Sequence, residues 1–238
     1  MEPADLMRVL GPLWKWTCLL RLAHGRRPSQ RAVAAFVLSL LLAVSAPAHA
    51  TTEYTLPSLF DVAGVAADDV LNIREAPGAN ARIVGELSPD ARNIEVVGFD
   101  ASGKWARINA GEHTGWVAFR FLRYRVDVWQ PQTLPASLQC RGTEPFWSFT
   151  ATSDAVVFST PEVRRTVMPI DSVLDTGRFR DTRRSVTATG SGQSLTAIIV
   201  PMACSDGMSD RAYGLDVTVL LETRGNLQML TGCCSVAP

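Results

Sequence analysis

Beyond residue 50 the chain has one histidine, His113, and one lysine, Lys104. Cys-His, Ser-His-Asp and Ser-Lys machinery each needs one of these two, and both fall on turns far in sequence from any candidate nucleophile. Catalysis of those kinds is not expected. No apolar run in this part approaches the roughly 20 residues that a spanning helix requires. No stretch keeps a helical apolar period for ten residues, which points to β structure throughout. Excess positive charge is missing as well: leaving the six Lys+Arg and two Asp+Glu before Thr51 out of 23 and 23 gives 17 and 21, a net of −4. That argues against a generic nucleic-acid or anionic-membrane binder.

The one marked apolar stretch lies near the start. Arg26, Arg27 and Arg31 precede Ala32 to Val44, and Ala48-His49-Ala50 supplies a small-x-small cleavage signal, the anatomy of a secretory signal peptide. Cleavage after Ala50 is expected to leave a chain starting at Thr51, exported to the periplasm or secreted. The first 25 residues, with Trp14, Trp16 and Cys18, are long for the leading part of such a signal, and a start codon placed too early accounts for them. No small residue plus Cys follows the apolar stretch, so no lipid anchor is expected.

Residues 71–122 read LNIREAPG, IVGEL, IEVVGF, GKWARI and GWVAFRFL, runs of about five residues recurring at roughly ten-residue intervals. Turn residues separate them: Ala76-Pro77-Gly78-Ala79-Asn80, Ser88-Pro89-Asp90 and Asp100-Ala101-Ser102-Gly103-Lys104. This is the pattern of a small closed β-barrel that binds rather than reacts. With LNIR-x-x-PG at its start, GKW in the middle and GWV-x-x-x-FL at its end, the segment from Asp61 to about Leu122 resembles the bacterial SH3 (SH3b) family. One departure is Glu75-Ala76, where the family usually has Ser or Ala followed by Gly. The resemblance implies a recognition domain over 57–124 whose ligands include peptidoglycan peptides or a protein partner.

Gln130-Pro131-Gln132-Thr133-Leu134-Pro135 lacks periodicity and reads as a linker, 125–137, before a second domain at 138–238. Its strands are expected at 146–149, 155–159, 185–189, 194–200, 215–222 and 226–230, making an antiparallel barrel or sandwich of six to eight strands. Cys140, Cys204, Cys233 and Cys234 are an even set, so disulfides are the default in an exported chain. A vicinal bridge is strained, which leaves Cys140 joined to one of the pair and Cys204 to the other. Neighbouring side chains in a strand face opposite ways and so reach different partners. A four-thiolate zinc site would need CxxC knuckles that spacings of 64, 29 and 1 do not supply. CRGTEPFWS, CSDGMSDRAY and LTGCC together resemble an uncharacterised family of bacterial periplasmic and lipoprotein domains, similar to small envelope barrels and without a settled activity.

Candidate site residues follow from chemistry and placement. Arg74 is suited to a ligand carboxylate, Trp105 to lining a groove or filling the core, and Trp116, between Gly115 and Val117, chiefly to core packing. Of Phe146 and Trp147 one is expected inside and one outside. A rigid loop bearing Ser205, Asp206, Met208, Ser209 and Asp210, pinned by Cys204, would suit insertion into a partner's cleft. Glu144, Asp206 and Asp210 imitate a glycosidase pair, but the turn-forming context of the aspartates explains them better. Arg164, Arg165, Arg178, Arg180, Arg183 and Arg184, mixed with Asp171, Asp175 and Asp181, read as a solvated loop face. The expectation is a non-enzymatic envelope binding protein without metal or cofactor. An inhibitor or stress adaptor acting through the second domain is the alternative.

Overall fold

The computed structural model describes residues 54–162 and 165–237. The signal-peptide expectation, Cys18 and Arg164 lie outside them. The described part is almost entirely antiparallel β structure, its helical content a single 3-10 turn at Phe119–Phe121. No helix among the described residues is long and apolar enough to cross a membrane.

The first body is a seven-stranded sheet: β1 (Ser58–Val62), β2 (Leu71–Arg74), β3 (Ile83–Leu87), β4 (Ile94–Phe99), β5 (Trp105–Ala110), β6 (His113–Ala118) and β7 (Leu122–Tyr124). Their order is β3-β2-β6-β5-β4-β1-β7. Although β1 and β2 stand far apart in that order, Phe60 and Val62 share one buried cluster with Leu71 and Ile73. The sheet therefore wraps around its own core, while its hydrogen-bond ladder stays open between β3 and β7. A row of tilted and edge-on rings, Tyr54, Phe60, Phe99, Phe119 and Tyr124, fills part of the wrapped interior at centroid spacings suited to aromatic pairs.

The second body is a closed eight-stranded barrel of β8 (Gln139–Thr143), β9 (Phe146–Ala151), β10 (Ala155–Ser159), β11 (Thr166–Leu174), β12 (Arg184–Gly190), β13 (Gln193–Cys204), β14 (Tyr213–Thr223) and β15 (Asn226–Ser235). Two of these, β8 and β11, were not expected. In β8 the apolar content is low, and β11 carries Pro169 and Asp171 within the run. Closure removes the sheet edges, and alternation fills the interior with Phe149, Met168, Leu195, Ile199 and Leu215, each essentially inaccessible. Trp147 lies inside and Phe146 is 55% exposed. The Trp147 ring rests against the chain at Gly142 and Gly232: a Cβ at Gly142 would come 2.1 Å from Nε1, and one at Gly232 would come 2.9 Å from Cζ2 and 2.1 Å from the Arg141 carbonyl. Neither position has room for any larger residue.

The disulfides join Cys140 to Cys234 and Cys204 to Cys233. Cys234 points into the barrel beside Cys140, directly across the β15–β8 ladder. Cys233 faces the other way and reaches across β14 to the end of β13. Strand alternation thus assigns the two partners.

Residues 125–137 connect the bodies but are fastened to both. Trp129 Nε1 donates to the Pro57 carbonyl at 2.8 Å, and the Gln132 N–H donates to Asp175 at 2.8 Å. Arg184, expected on a solvated face, is only 4% exposed. Its guanidinium donates to the carbonyls of Thr133, Gln130, Asp181 and Arg183 at 2.8–3.1 Å and lies 5.2 Å over the Trp129 ring. Five donors in a planar fork can satisfy this many carbonyls where a lysine could not. The neighbouring Arg183 keeps the expected solvated role, paired with Asp181 at 2.9 Å.

Packing continues between the bodies. Leu59 of β1 belongs to the barrel's core cluster, and the Pro57 ring sits against Gly214. Glu95 of β4 is buried at the junction, accepting from Ser235 Oγ at 2.6 Å and from the Val236 N–H at 2.9 Å. Burial pushes its carboxyl above the ordinary range, against the opposing pull of those two bonds and of Arg211. Its contribution to stability is therefore greatest below the ordinary carboxylate value and is lost as pH rises through the raised one.

Candidate functional site

Alternation along β5 and β6 decides which face each side chain takes. Ala106, Ile108, Gly115 and Val117 are buried and point into the wrapped core. A side chain at Gly115 would collide with Ile73, whose Cγ2 lies 2.2 Å from the Cβ position. Trp105, Arg107, Asn109, Thr114 and Trp116 consequently face outward. This corrects the expected core position of Trp116: apolar neighbours on both sides in a strand place the tryptophan on the opposite face from them.

Pairing across the sheet sets these side chains in a row. Arg74 is opposite Ile83 on one side and Trp116 on the other; Arg107 is opposite Trp116 and then Gly98. The half-buried indole of Trp116 is therefore flanked by two arginines. Arg74 spends one donor on the Ala81 carbonyl at 2.7 Å. Arg107 is exposed and has no partner among the described residues. Trp105 is half-buried at the start of β5, after an Asx turn in which Asp100 accepts its N–H at 2.8 Å.

Trp116 and Arg107 of this row form part of one wall of a cleft of about 1320 Å³. Trp116, Arg107, Ile83 and Val84 line that side, while Pro201, Met202, Cys204 and Tyr213 of the barrel line the other. Arg74 and Trp105 are not part of the lining. The structure thus brings Trp116 together with the Cys204 region but does not make the expected groove between Trp105 and Arg74. Arg107, missed in the sequence, was available from alternation alone, because Ala106 and Ile108 must face inward.

The end of the cleft is closed by contacts between the bodies. The Asp210 N–H donates to the Glu112 carbonyl at 3.0 Å, and the Asp210 carboxylate meets His113 Nδ1 at 3.1 Å. Asn109 binds Ala212 twice, donating to its carbonyl and accepting its N–H, both at 2.9 Å. Arg211 donates to the Gly111 carbonyl at 3.2 Å. The β5–β6 hairpin is thus clasped by residues 210–212. Asp210 touches this chain's own hairpin while its side chain stays 81% exposed, and Met208 is 69% exposed.

Asp206 organises the rest of that loop. Its carboxylate accepts the N–H groups of Met208 and Ser209, the Ser209 hydroxyl and the Tyr213 hydroxyl at 2.8–3.1 Å. Partial burial, the largest single influence, acts to raise its pKa; the four donors outweigh it and bring the value down to about 2. A carboxylate so occupied has no lone pair free for acid–base work. Its depressed pKa stabilises the fold above the ordinary carboxylate value, and that contribution is lost as pH falls through about 2. Solvent screening keeps the contribution to at most ~2 kcal/mol. We expect thermal midpoints of the parent chain and Asp206→Asn to differ at neutral pH and to converge as the pH falls to about 2; a difference independent of pH would contradict the assignment. Among the described residues no group of three or more His, Cys, Asp or Glu side chains is placed to hold a metal.

Residues 69–123 match the family model of the bacterial SH3 domain. The match runs from just before β2 into β7, so it includes every residue of the Arg74–Trp116–Arg107 row and leaves β1 and the barrel outside. No curated protein and no solved structure matches the chain.

Proposed function

We propose, from the bacterial SH3 domain that this chain carries, an exported, non-enzymatic protein of the bacterial envelope that recognises peptidoglycan stem peptides through the outer face of that domain. The observation that carries the reading is the Trp116–Arg107 pair lining the cleft, with Arg74 beside Trp116 on the same sheet face. A half-buried indole offers a flat apolar surface, and the unpartnered guanidinium of Arg107 beside it is suited to a peptide carboxylate. Stem peptides offer small apolar side chains and free carboxylates together, the chemistry this pair accepts. The Ala32–Val44 stretch with its upstream arginines supports export, as do four cysteines paired in two disulfides. The Asp206 oxygens are taken up by four donors, which suits them poorly to acid–base work.

The alternative, an inhibitor or adaptor acting through the Cys204 loop, rests on the exposed Met208 and on the rigidity that Asp206 gives residues 205–209. Cosedimentation with insoluble peptidoglycan separates the two. The disulfide-bonded chain is expected to be retained, with Trp116→Ala weakening retention about tenfold, as loss of a central aromatic anchor does at other interfaces. Trp105→Ala is expected to change little. Retention unaffected by Trp116→Ala would remove this site, and failure of the parent chain to bind would shift the search to the Met208 loop.

A further inference from the structure

The barrel strand that lines the large cleft is irregular at one point. Along β13 and β14, Pro201 is opposite Leu215 and Cys204 is opposite Tyr213, so Met202 and Ala203 together face Gly214 alone. This two-against-one count is a β-bulge, a device that bends its strand and re-aims a side chain out of the regular ladder. Both bulged residues are exposed, Met202 at 54%, and both line the cleft. The bulge is held from three directions. Pro201 restricts the backbone at its entry, and the disulfide to Cys233 fixes Cys204 at its exit. Opposite it, the Pro57 ring fills the space that a side chain at Gly214 would take, 3.0 Å from the Cβ position. An exposed methionine on a pinned strand is thus presented to the same cleft as Trp116 and Arg107.

Charge in the lining gives the kind of ligand. Its two acids, Glu75 and Asp210, already meet partners of the same lining, Arg82 at 2.9 Å and His113 at 3.1 Å. Arg107 and Arg211 make no ion pair among the described residues. Arg211 is engaged with the Gly111 carbonyl, which leaves the exposed Arg107 as the cation open to a ligand. Apolar surface stands on both walls, from Trp116 on one and from Pro201 and Met202 on the other. Methionine is unbranched and polarisable, and it adapts to apolar groups of different shape. Resting on the peptide reading given above, we propose that Met202 is a specificity-determining residue of that site. It packs on the apolar side chains of a peptide whose carboxylate Arg107 takes, so the ligand is read between the two bodies and not by the SH3 domain alone.

The test is a calorimetric titration of the disulfide-bonded chain with a soluble stem tetrapeptide and with its analogue carrying glycine in place of both alanines. The parent, Met202→Ser and Trp116→Ala chains are compared. Met202→Ser, at an exposed position, should leave the thermal midpoint in place and weaken the stem peptide about fourfold, the worth of one buried methylene group. The glycine analogue should bind the parent and Met202→Ser chains alike, because the methyl groups that Met202 contacts are gone; a change in the fold alone would weaken both peptides equally. Trp116→Ala should weaken both. Unchanged binding of the stem peptide by Met202→Ser, or equal weakening of the two peptides, would overturn the role of Met202 while a loss on Trp116→Ala upholds the peptide reading. Failure of the parent chain to bind either peptide would overturn both.

Discussion

Arg184→Ala is expected to lower stability by roughly 2–3 kcal/mol, the scale of hydrogen bonds made by a charged donor. The side chain holds four backbone carbonyls, two from residues 130–133 and two from its own approach to β12. Truncation removes the donor these carbonyls share, the Gln130 carbonyl alone keeping other donors, those of Thr133, and takes the cation from above Trp129. The loss is not confined to the barrel. Residues 130–133 are held to the barrel by this guanidinium and by the Asp175 contact to Gln132, so the connection between the bodies should loosen with it. Denaturation midpoints of the parent and variant chains measure the first effect, and the rate of proteolytic cleavage within 125–137 measures the second. Arg184→Lys should recover only a small part, since one ammonium cannot reach carbonyls arranged for a planar fork. A loss below 1 kcal/mol, or full recovery by lysine, would show that the latch contributes little.

Replacing Cys204 and Cys233 together by serine should cost ~3.5 kcal/mol, from the chain entropy restored to the unfolded state by opening a loop with a sequence separation of 29. Here too the consequence extends beyond stability. The bridge fixes the end of β13, from which the chain runs directly into the Asp206 turn and the 210–212 clasp on the SH3 hairpin. Freed at that root, the segment should release the hairpin before the barrel melts. Hydrogen exchange at the amide of Ala212, normally donated to Asn109, should therefore accelerate in the double variant far more than at Val217 in the middle of β14. Equal acceleration at both would indicate global destabilisation without release of the clasp. Loss of the Cys140–Cys234 bridge should instead act on the barrel core, where both sulfurs are buried among apolar side chains.

Much of this architecture was legible in the sequence because the local signals were strong. IVGEL and IEVVGF are strands β3 and β4 residue for residue, since each run is bounded by turn formers. Cys233-Cys234 adjacency required different partners, and alternation supplied them. Three things were not legible, for physical reasons. The flanks Gly115 and Val117 suggest core packing for Trp116, whereas in a strand they occupy the inner face themselves and turn the indole outward. Arg184 was grouped with its charged neighbours because a buried guanidinium is satisfied by carbonyls of the 130–133 segment some fifty residues away, a long-range fact with no local trace. The contact of Asp210 with the hairpin has no local trace, because nothing in CSDGMSDRAY discloses that Glu112 and His113 lie opposite. The cleft exists only once the two bodies are docked, so neither half of the sequence carries it alone.

We propose that the outer face of the SH3 domain, at Trp116 and Arg107, is the recognition surface. The most direct test is amide and indole chemical-shift mapping of the ¹⁵N-labelled chain during titration with a soluble stem peptide. The largest changes are expected at Trp116, Arg107 and their neighbours on β5 and β6, saturating together, with Trp105 moving less. Changes concentrated on Ser205–Met208, or none along β5 and β6, would contradict it.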